Sequence, residues 1–193
     1  MSDKIRTLAC LLVPMTLMLF FMACEQQPEE VASEPYIAPC IEVVEVVEVQ
    51  PRQYYDVPLS FELQDYLREC CEARGIPIAL ALATIEVESD FRSDIVSSTD
   101  DYGLMQINIC NHDYLKEELG ITDFLAPMDN INAGTYWLSR YYPRYGIEQT
   151  AMCYNLGEGG AKKLFKKGVY STDYSKKILK AYERYEDVIN SIY

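Results

Sequence analysis

Glu88 is the carboxylate of this chain best placed to do chemistry. It stands in the segment Ala-Thr-Ile-Glu-Val-Glu-Ser-Asp-Phe, residues 83–91, immediately before Ser89. Leu80, Ala83, Thr84 and Val87 recur at helical spacing and define an apolar face. Glu88 lies beside Val87, on the edge of that face. Asp90 and Asp94 mark where the helix should break, so Glu88 is also close to its C-terminus. The partial negative charge of a helix C-terminus disfavours a carboxylate, and so does partial burial. Both effects raise the pKa, which suits a general acid that must hold its proton near neutral pH. Taken alone, a Glu at a helix end is ordinarily solvated. Glu86 is the rival carboxylate, and two residues apart on a helix means roughly opposite faces, so only one of the pair enters a cleft with ease.

Two further blocks follow Glu88 at a distance. Tyr102-Gly103-Leu104-Met105-Gln106-Ile107-Asn108 is a Gly-led apolar segment with one amide at its centre. Gly103 permits close backbone approach, and Gln106 both donates and accepts hydrogen bonds. By itself this is an ordinary turn leading into an apolar segment. Ala151-Met152-Cys153-Tyr154-Asn155-Leu156-Gly157 is the third block, which alone would read as a core Tyr, a helix-ending Asn and a Gly loop.

In this order the three blocks resemble the lytic transglycosylase / goose-type lysozyme domain, which cleaves bacterial cell-wall glycan. The resemblance covers roughly residues 60 to 185. It implies an acid immediately before Ser, which selects Glu88 over Glu86. It also implies that Gly103, Leu104, Met105 and Gln106 contact sugar, with Met105 against a sugar face. Tyr154 and Asn155 match the family's Tyr-Asn pair, which faces the acid across the cleft. Tyr174 matches a tyrosine near the start of the last helix, although it also fits an apolar stripe. Ser97 or Ser98 matches a serine ahead of the Gly-led block. Asp101-Tyr102 stands where the family more often has small residues, which alters the nearby subsite.

The reaction implied is cleavage of the β-1,4 bond between N-acetylmuramic acid and N-acetylglucosamine. Glu88 would protonate the leaving oxygen and then draw the proton from the muramyl 6-hydroxyl as that oxygen attacks C1, giving a 1,6-anhydro ring. No metal or cofactor is implied. Many glycosidases use two carboxylates; Asp90, Asp94, Asp100 and Asp101 lie close in sequence, and goose-type hydrolases use such residues to position water, yet none stands out as a second catalytic group. A hydrolytic muramidase and an inactive glycan-binding component of an envelope-spanning machine are the rival readings. Retention of Glu88, Gln106, Tyr154 and Asn155 together argues against the last.

The elements that must position these residues read as helices. Phe61 to Cys71 gives one, closed by Gly75, and Pro77 opens the next, Ile78 to Ser89. Asn111 to Leu119 with Gly120, a segment marked by Ile131, Gly134, Trp137, Leu138 and Tyr141, and short pieces at 150–154 and 161–167 follow. The last helix carries Tyr174, Ile178, Ala181, Tyr182, Tyr185, Ile189 and Ile192, with Thr172 as its cap. Strand-like alternation is scarce. The fold expected is all-α: a mostly α-helical, lysozyme-like domain at 59–193 with a loop-lined cleft.

A signal segment and an extended linker precede that domain in this reading. Lys4 and Arg6 precede an apolar run from Leu8 to Ala23. The run is shorter than the roughly 20 residues of a membrane span, and it has the layout of a secretory signal or short membrane anchor over 1–23. Phe21-Met22-Ala23-Cys24 resembles a lipoprotein cleavage box, with Cys24 as the lipidated residue, though Phe21 and Met22 depart from its usual pattern. Residues 24–58, punctuated by five prolines and rich in Glu, read as a solvated linker, with Glu42 to Val49 as a possible strand. Export would expose Cys40, Cys70, Cys71, Cys110 and Cys153 to an oxidising exterior; some pair there, or they are small core residues.

Overall composition bounds the partners. At 193 residues and net charge −13 the chain suits one domain plus extra segments and disfavours nucleic acid, which needs a positive footprint. No zinc spacing or phosphate-cradling loop occurs, and His112 is the one histidine. Lys162, Lys163, Lys166, Lys167, Lys176, Lys177 and Lys180 form a basic zone, ordinarily a solvated face but suited to anionic wall polymer. The partners implied are peptidoglycan strands, the membrane through the N-terminal segment, and envelope or secretion machinery.

Overall fold

The computed structural model describes residues 54–190, and side chains as far as Val188. The signal segment, Cys24, Cys40, the Glu42–Val49 stretch and most of the linker lie outside the described residues. Helix α1 (Phe61–Arg74) begins where Ser60 Oγ accepts the Leu63 N–H at 3.2 Å. It ends at Gly75, whose left-handed φ of 63° closes the last carbonyls. Gln64 is buried on α1 and holds the preceding segment: its side chain accepts from Tyr55 N at 2.8 Å and donates to the Tyr55 and Leu59 carbonyls. Tyr55 and Leu59 are both buried in the core.

Helix α2 (Ile78–Ser89) is the centre of the domain. Every residue from Ala79 to Ile85 is buried, so the helix is apolar all round for most of its length. It packs against α1, α4 and α5. Its end is abrupt: Asp90 and Phe91 both take positive φ, 51° and 60°, and Ser89 Oγ turns back to the Ile85 carbonyl. This break leaves Glu88 one residue from the last helical position.

A short hairpin follows, β1 (Asp101–Tyr102) and β2 (Ile107–Asn108), antiparallel with Asp101 opposite Asn108. It was invisible as a periodic pattern because each strand is two residues long. A 3-10 turn (Ile109–Asn111) leads to α3 (His112–Leu119), closed by Gly120. Helix α4 (Pro127–Phe165) is interrupted at Gly146 and Gly157, both with positive φ, so it delivers the separate helical pieces that the sequence suggests. In α5 (Asp173–Asn190), Thr172 Oγ1 accepts the Ser175 N–H and Ser175 Oγ accepts the Thr172 N–H, a reciprocal cap. Among the described residues no helix is long and apolar enough to cross a membrane. The described cysteines are free: Cys70, Cys71 and Cys153 are buried and Cys110 is exposed.

Candidate active site

An open cleft of about 560 Å3 is bounded by Glu88 from α2, Asp101, Gln106 and Asn108 from the hairpin, and Trp137, Tyr141, Tyr154 and Asn155 from α4. Glu88 is partly buried. Its Oε1 accepts the Tyr174 hydroxyl at 2.5 Å, so α5 supplies its side-chain partner among the described residues. Burial pushes its pKa to about 7; the Tyr174 hydrogen bond works in the opposite direction, and the charge of Asp101 adds to the rise. With Oε1 occupied as an acceptor, the transferable proton belongs on Oε2, and at neutral pH the group is poised between acid and base.

Glu86 is held elsewhere. Arg184 Nη2 lies 2.7 Å from both of its oxygens and the Tyr185 hydroxyl donates at 2.5 Å, a cluster between α2 and α5 that does not line the cleft. The two carboxylates therefore part company as helical geometry requires.

The turn between the strands is fixed from beneath by Asn130, fully buried on α4. Its Oδ1 accepts Met105 N at 2.7 Å, and its Nδ2 donates to the Tyr102 and Phe124 carbonyls at 2.7 Å each. Gly103 sits against this amide with φ of 70°; a Cβ there would lie 2.6 Å from Asn130 Nδ2. The glycine is thus needed for the turn's own closure against α4. Gln106 also takes positive φ, 47°, and its Nε2 donates to the Gly103 carbonyl at 2.8 Å.

Four of the expected residues line the cleft: Glu88, Gln106, Tyr154 and Asn155. Tyr174 stands behind Glu88 as its hydrogen-bond donor. Leu104 and Met105, expected to touch sugar, are 1% and 0% exposed, and neither lines the cleft. Met105 fills the space above Gly134, where a Cβ would lie 2.6 Å from Met105 Cε. An apolar pair next to a turn packs inward because the core beneath α4 offers burial that an open cleft does not. Met105 still meets the site through its backbone, since its carbonyl accepts the Tyr154 hydroxyl at 2.8 Å. Tyr154 and Tyr174 are both driven well above the ordinary phenol range by burial, so both are neutral hydrogen-bond donors. Asn155 is exposed at the rim.

Ser97 does not line the cleft either. Its hydroxyl donates to Asp101 Oδ2 at 2.7 Å and accepts from the Thr99 and Asp101 N–H groups. His112 stacks on Phe124 at 3.6 Å and bonds the Ile107 carbonyl through Nε2, a packing role beneath the hairpin. The seven lysines of the basic zone are exposed, with Lys162 paired to Glu158 at 2.7 Å.

Four contributors are not singled out by sequence reasoning. Asn130 carries a faint signal, an amide within the apolar stripe of Ile131 and Gly134. Trp137 and Tyr141, legible only as helix markers, form a stacked aromatic wall of the cleft at 6.1 Å. Asp101 lines the cleft with Glu88, where the sequence marks a departure from small residues and one of four neighbouring acids of which none stands out.

A helical domain with a partly buried Glu at the end of its central helix, facing a hairpin and an aromatic wall, is the architecture of a lysozyme-like domain. The Transglycosylase SLT domain family matches residues 65–178, and the chain belongs to that family. In fold it is similar to the lytic transglycosylase Slt of Pseudomonas aeruginosa, solved as an inactive mutant, with TM-score 0.60 and 22% identity over 72% of this chain and 26% of that one. It is also similar to the 70-kDa soluble lytic transglycosylase of Escherichia coli, at TM-score 0.56 and 24% identity over 66% of this chain and 24% of that one. It is likewise similar to a 70-kDa soluble lytic transglycosylase solved in complex with bulgecin A, at TM-score 0.56 and 24% identity over 66% of this chain and 24% of that one. The chain thus spans about a quarter of the length of these proteins.

Proposed function

We propose that this chain cleaves the β-1,4 bond between N-acetylmuramic acid and N-acetylglucosamine in peptidoglycan strands, with Glu88 as the acid and then the base. The observation that carries this reading is the state of Glu88: partly buried, open to a cleft and poised at about pH 7 with a neutral phenol as its partner. Proton transfer from Oε2 to the glycosidic oxygen releases the leaving sugar. The carboxylate then takes the proton of the muramyl 6-hydroxyl as that oxygen closes on C1. Proximity favours this internal attack, and the product is a 1,6-anhydromuramic end. Trp137 and Tyr141 supply ring faces for sugar, and Gln106 and Asn155 supply amides at the rim. No step in this chemistry calls for a cofactor.

The substrate places the reaction outside the cytoplasm. Residues 1–23 as export signal or anchor, Cys24 as lipidation site and the Glu-rich stretch as spacer belong to the same proposal. One observation favours a second, hydrolytic reading: the carboxylate of Asp101 shares the cleft with Glu88.

Mass spectrometry of soluble fragments from purified peptidoglycan, digested by the full chain beside Glu88→Gln, tests the proposal. Anhydro-muropeptides from the wild type alone are expected. Equal cleavage by the variant would remove Glu88 from its role, and fragment-free binding by the wild type would turn the reading to a glycan-binding component.

A further inference from the structure

The turn between α4 and α5 concentrates positive charge in an acidic chain. From Lys162 to Lys180 stand seven lysines and one acid, Asp173, in a protein of net charge −13. All seven lysines are exposed. Lys162 pairs with Glu158; among the described residues no ion pair reaches Lys163, Lys166, Lys167, Lys176, Lys177 or Lys180. Val169 and Tyr170 stand between the two groups of lysines, 40% and 55% exposed. We propose that this turn docks the domain on an anionic lipid bilayer, with Val169 and Tyr170 entering the headgroup layer and the lysines on either side meeting lipid phosphates. Docking of this kind does not depend on the glycan-cleaving reading above.

Ordered backbone holds the tip out. Gly168 takes φ of 76° and donates to the Phe165 carbonyl at 2.9 Å, and the Val169 N–H donates to the Leu164 carbonyl at 3.1 Å. A left-handed glycine here stops α4 and turns the chain away from it. The Tyr170 ring stacks on Phe165 at 5.7 Å, and its carbonyl accepts Gln149 Nε2 at 3.3 Å. Thr172 and Ser175 then cap α5. A valine and a tyrosine exposed on a closed turn suit the boundary of a bilayer, where the ring body meets apolar chains and the hydroxyl meets water.

Helix electrostatics accounts for part of the charge only. Lys162 and Lys163 lie in the last turn of α4, where cations complement the helix dipole. Lys176 and Lys177 stand near the N-terminus of α5, where the dipole disfavours them. Lys176 and Lys180 are one turn apart, a like-charge pair that weakens a helix. These lysines are therefore kept at some expense to the fold, which points to a partner for their charge. A phosphate-bearing wall polymer would engage the cations and leave the apolar tip unused; a bilayer engages both. The acidic remainder of the chain is repelled by the same surface, which restricts contact to this face. Asn155 reaches the cleft from α4 and Tyr174 reaches Glu88 from α5, so docking here sets how the cleft is presented to the bilayer.

The test places an indole at the tip, Tyr170→Trp in the full chain, and reads its quenching by brominated acyl chains. Vesicles of phosphatidylcholine mixed with phosphatidylglycerol are set beside phosphatidylcholine alone. Strong quenching is expected on the mixed vesicles, little on the neutral ones, and less as salt is raised. Contact made elsewhere in the chain does not quench a reporter at the tip, and the wild type, whose one tryptophan is Trp137, gives the background. Adding Lys176→Gln and Lys177→Gln is expected to weaken tip contact roughly 25-fold, about fivefold for each lysine, without lowering the melting temperature. Should that pair disturb the cap of α5, Lys180→Gln repeats the test at about fivefold. An unquenched tip on the mixed vesicles, equal quenching on both kinds, or contact unchanged by the lysine substitutions would overturn the proposal. Stronger quenching of Trp137 than of the tip would put another face on the bilayer and overturn it too. Retention on soluble poly(glycerol phosphate) with an unquenched tip would make the lysines a polymer site instead.

Discussion

Glu86 and Glu88 sit two residues apart on one helix and are read by the same partner helix in opposite ways. Near its N-terminus α5 offers Glu88 a phenol; near its C-terminal half it offers Glu86 an arginine and a phenol. Arg184 pairs with Glu86 near the surface, with 54% and 28% side-chain exposure across the pair. Among the described residues no cation pairs with Glu88, and burial raises it to about 7. The residue type is the same, so the difference lies in the surroundings: a charge partner makes a strut, and burial beside a neutral partner makes an acid.

The largest effect that separates the two is expected from Glu88→Gln. Cleavage should be lost, because the amide matches the shape and has no transferable proton. Stability should move the other way. A folded-state pKa of about 7 against an ordinary 4.5 means that the wild type loses stability as pH rises from about 4.5 through 7, while the amide does not titrate. The variant should therefore melt higher than the wild type above neutral pH, by at most on the order of 3 kcal/mol, with the gap closing towards pH 4. Thermal melts across that range read the sign; a gap that widens on acidification would contradict the assigned environment of Glu88.

Tyr174→Phe is the next largest. The phenol hydrogen bond lowers the Glu88 pKa, so removing it should raise that pKa further and carry the alkaline limb of the pH–rate profile upward. Turnover should fall about tenfold through loss of one strong hydrogen bond that orients the acid. An alkaline limb that stays in place would return Tyr174 to packing alone. Asn155→Ala should cost less, a few-fold in kcat/KM with an unchanged melting temperature, because the residue is exposed at the rim. Wild-type kinetics there would make it a helix-ending residue only.

Much of this arrangement is legible in the chain because it depends on local rules. Ser60, Gly75, Gly120 and Thr172 punctuate helices by capping chemistry, and the apolar run from Ala79 to Ile85 declares a central helix. Two-residue geometry lets only one of Glu86 and Glu88 enter a cleft with ease, and the family resemblance, with its acid immediately before Ser, selects Glu88. The hairpin, by contrast, has strands of two residues each, too short for any period to register. Met105 shows the limit of reading side chains from a motif: its neighbours favour a ligand contact, while the void above Gly134 takes it into the core. Asn130 and Asp101 are legible only when the partners they bond, Met105 N and Asn108 Nδ2, have been brought to them by the fold. Long-range polar closure carries no sequence period.

The smallest effect tests the other half of the comparison. Glu86→Gln keeps an acceptor for Arg184 and Tyr185 and removes only the charge. An exposed pair of this kind contributes about 0–1 kcal/mol, so the melting temperature should drop slightly, opposite in sign to the Glu88 variant at alkaline pH. Cleavage and its alkaline limb should stay as in the wild type, because Glu86 is off the cleft. A limb that moved with Glu86 would mean that the strut sets how α5 presents Tyr174 to Glu88, and the two carboxylates would then be one coupled device read by one helix. Additivity in the Glu86→Gln/Tyr174→Phe double variant decides between the two: independent sites give summed shifts, and a coupled device gives less than the sum.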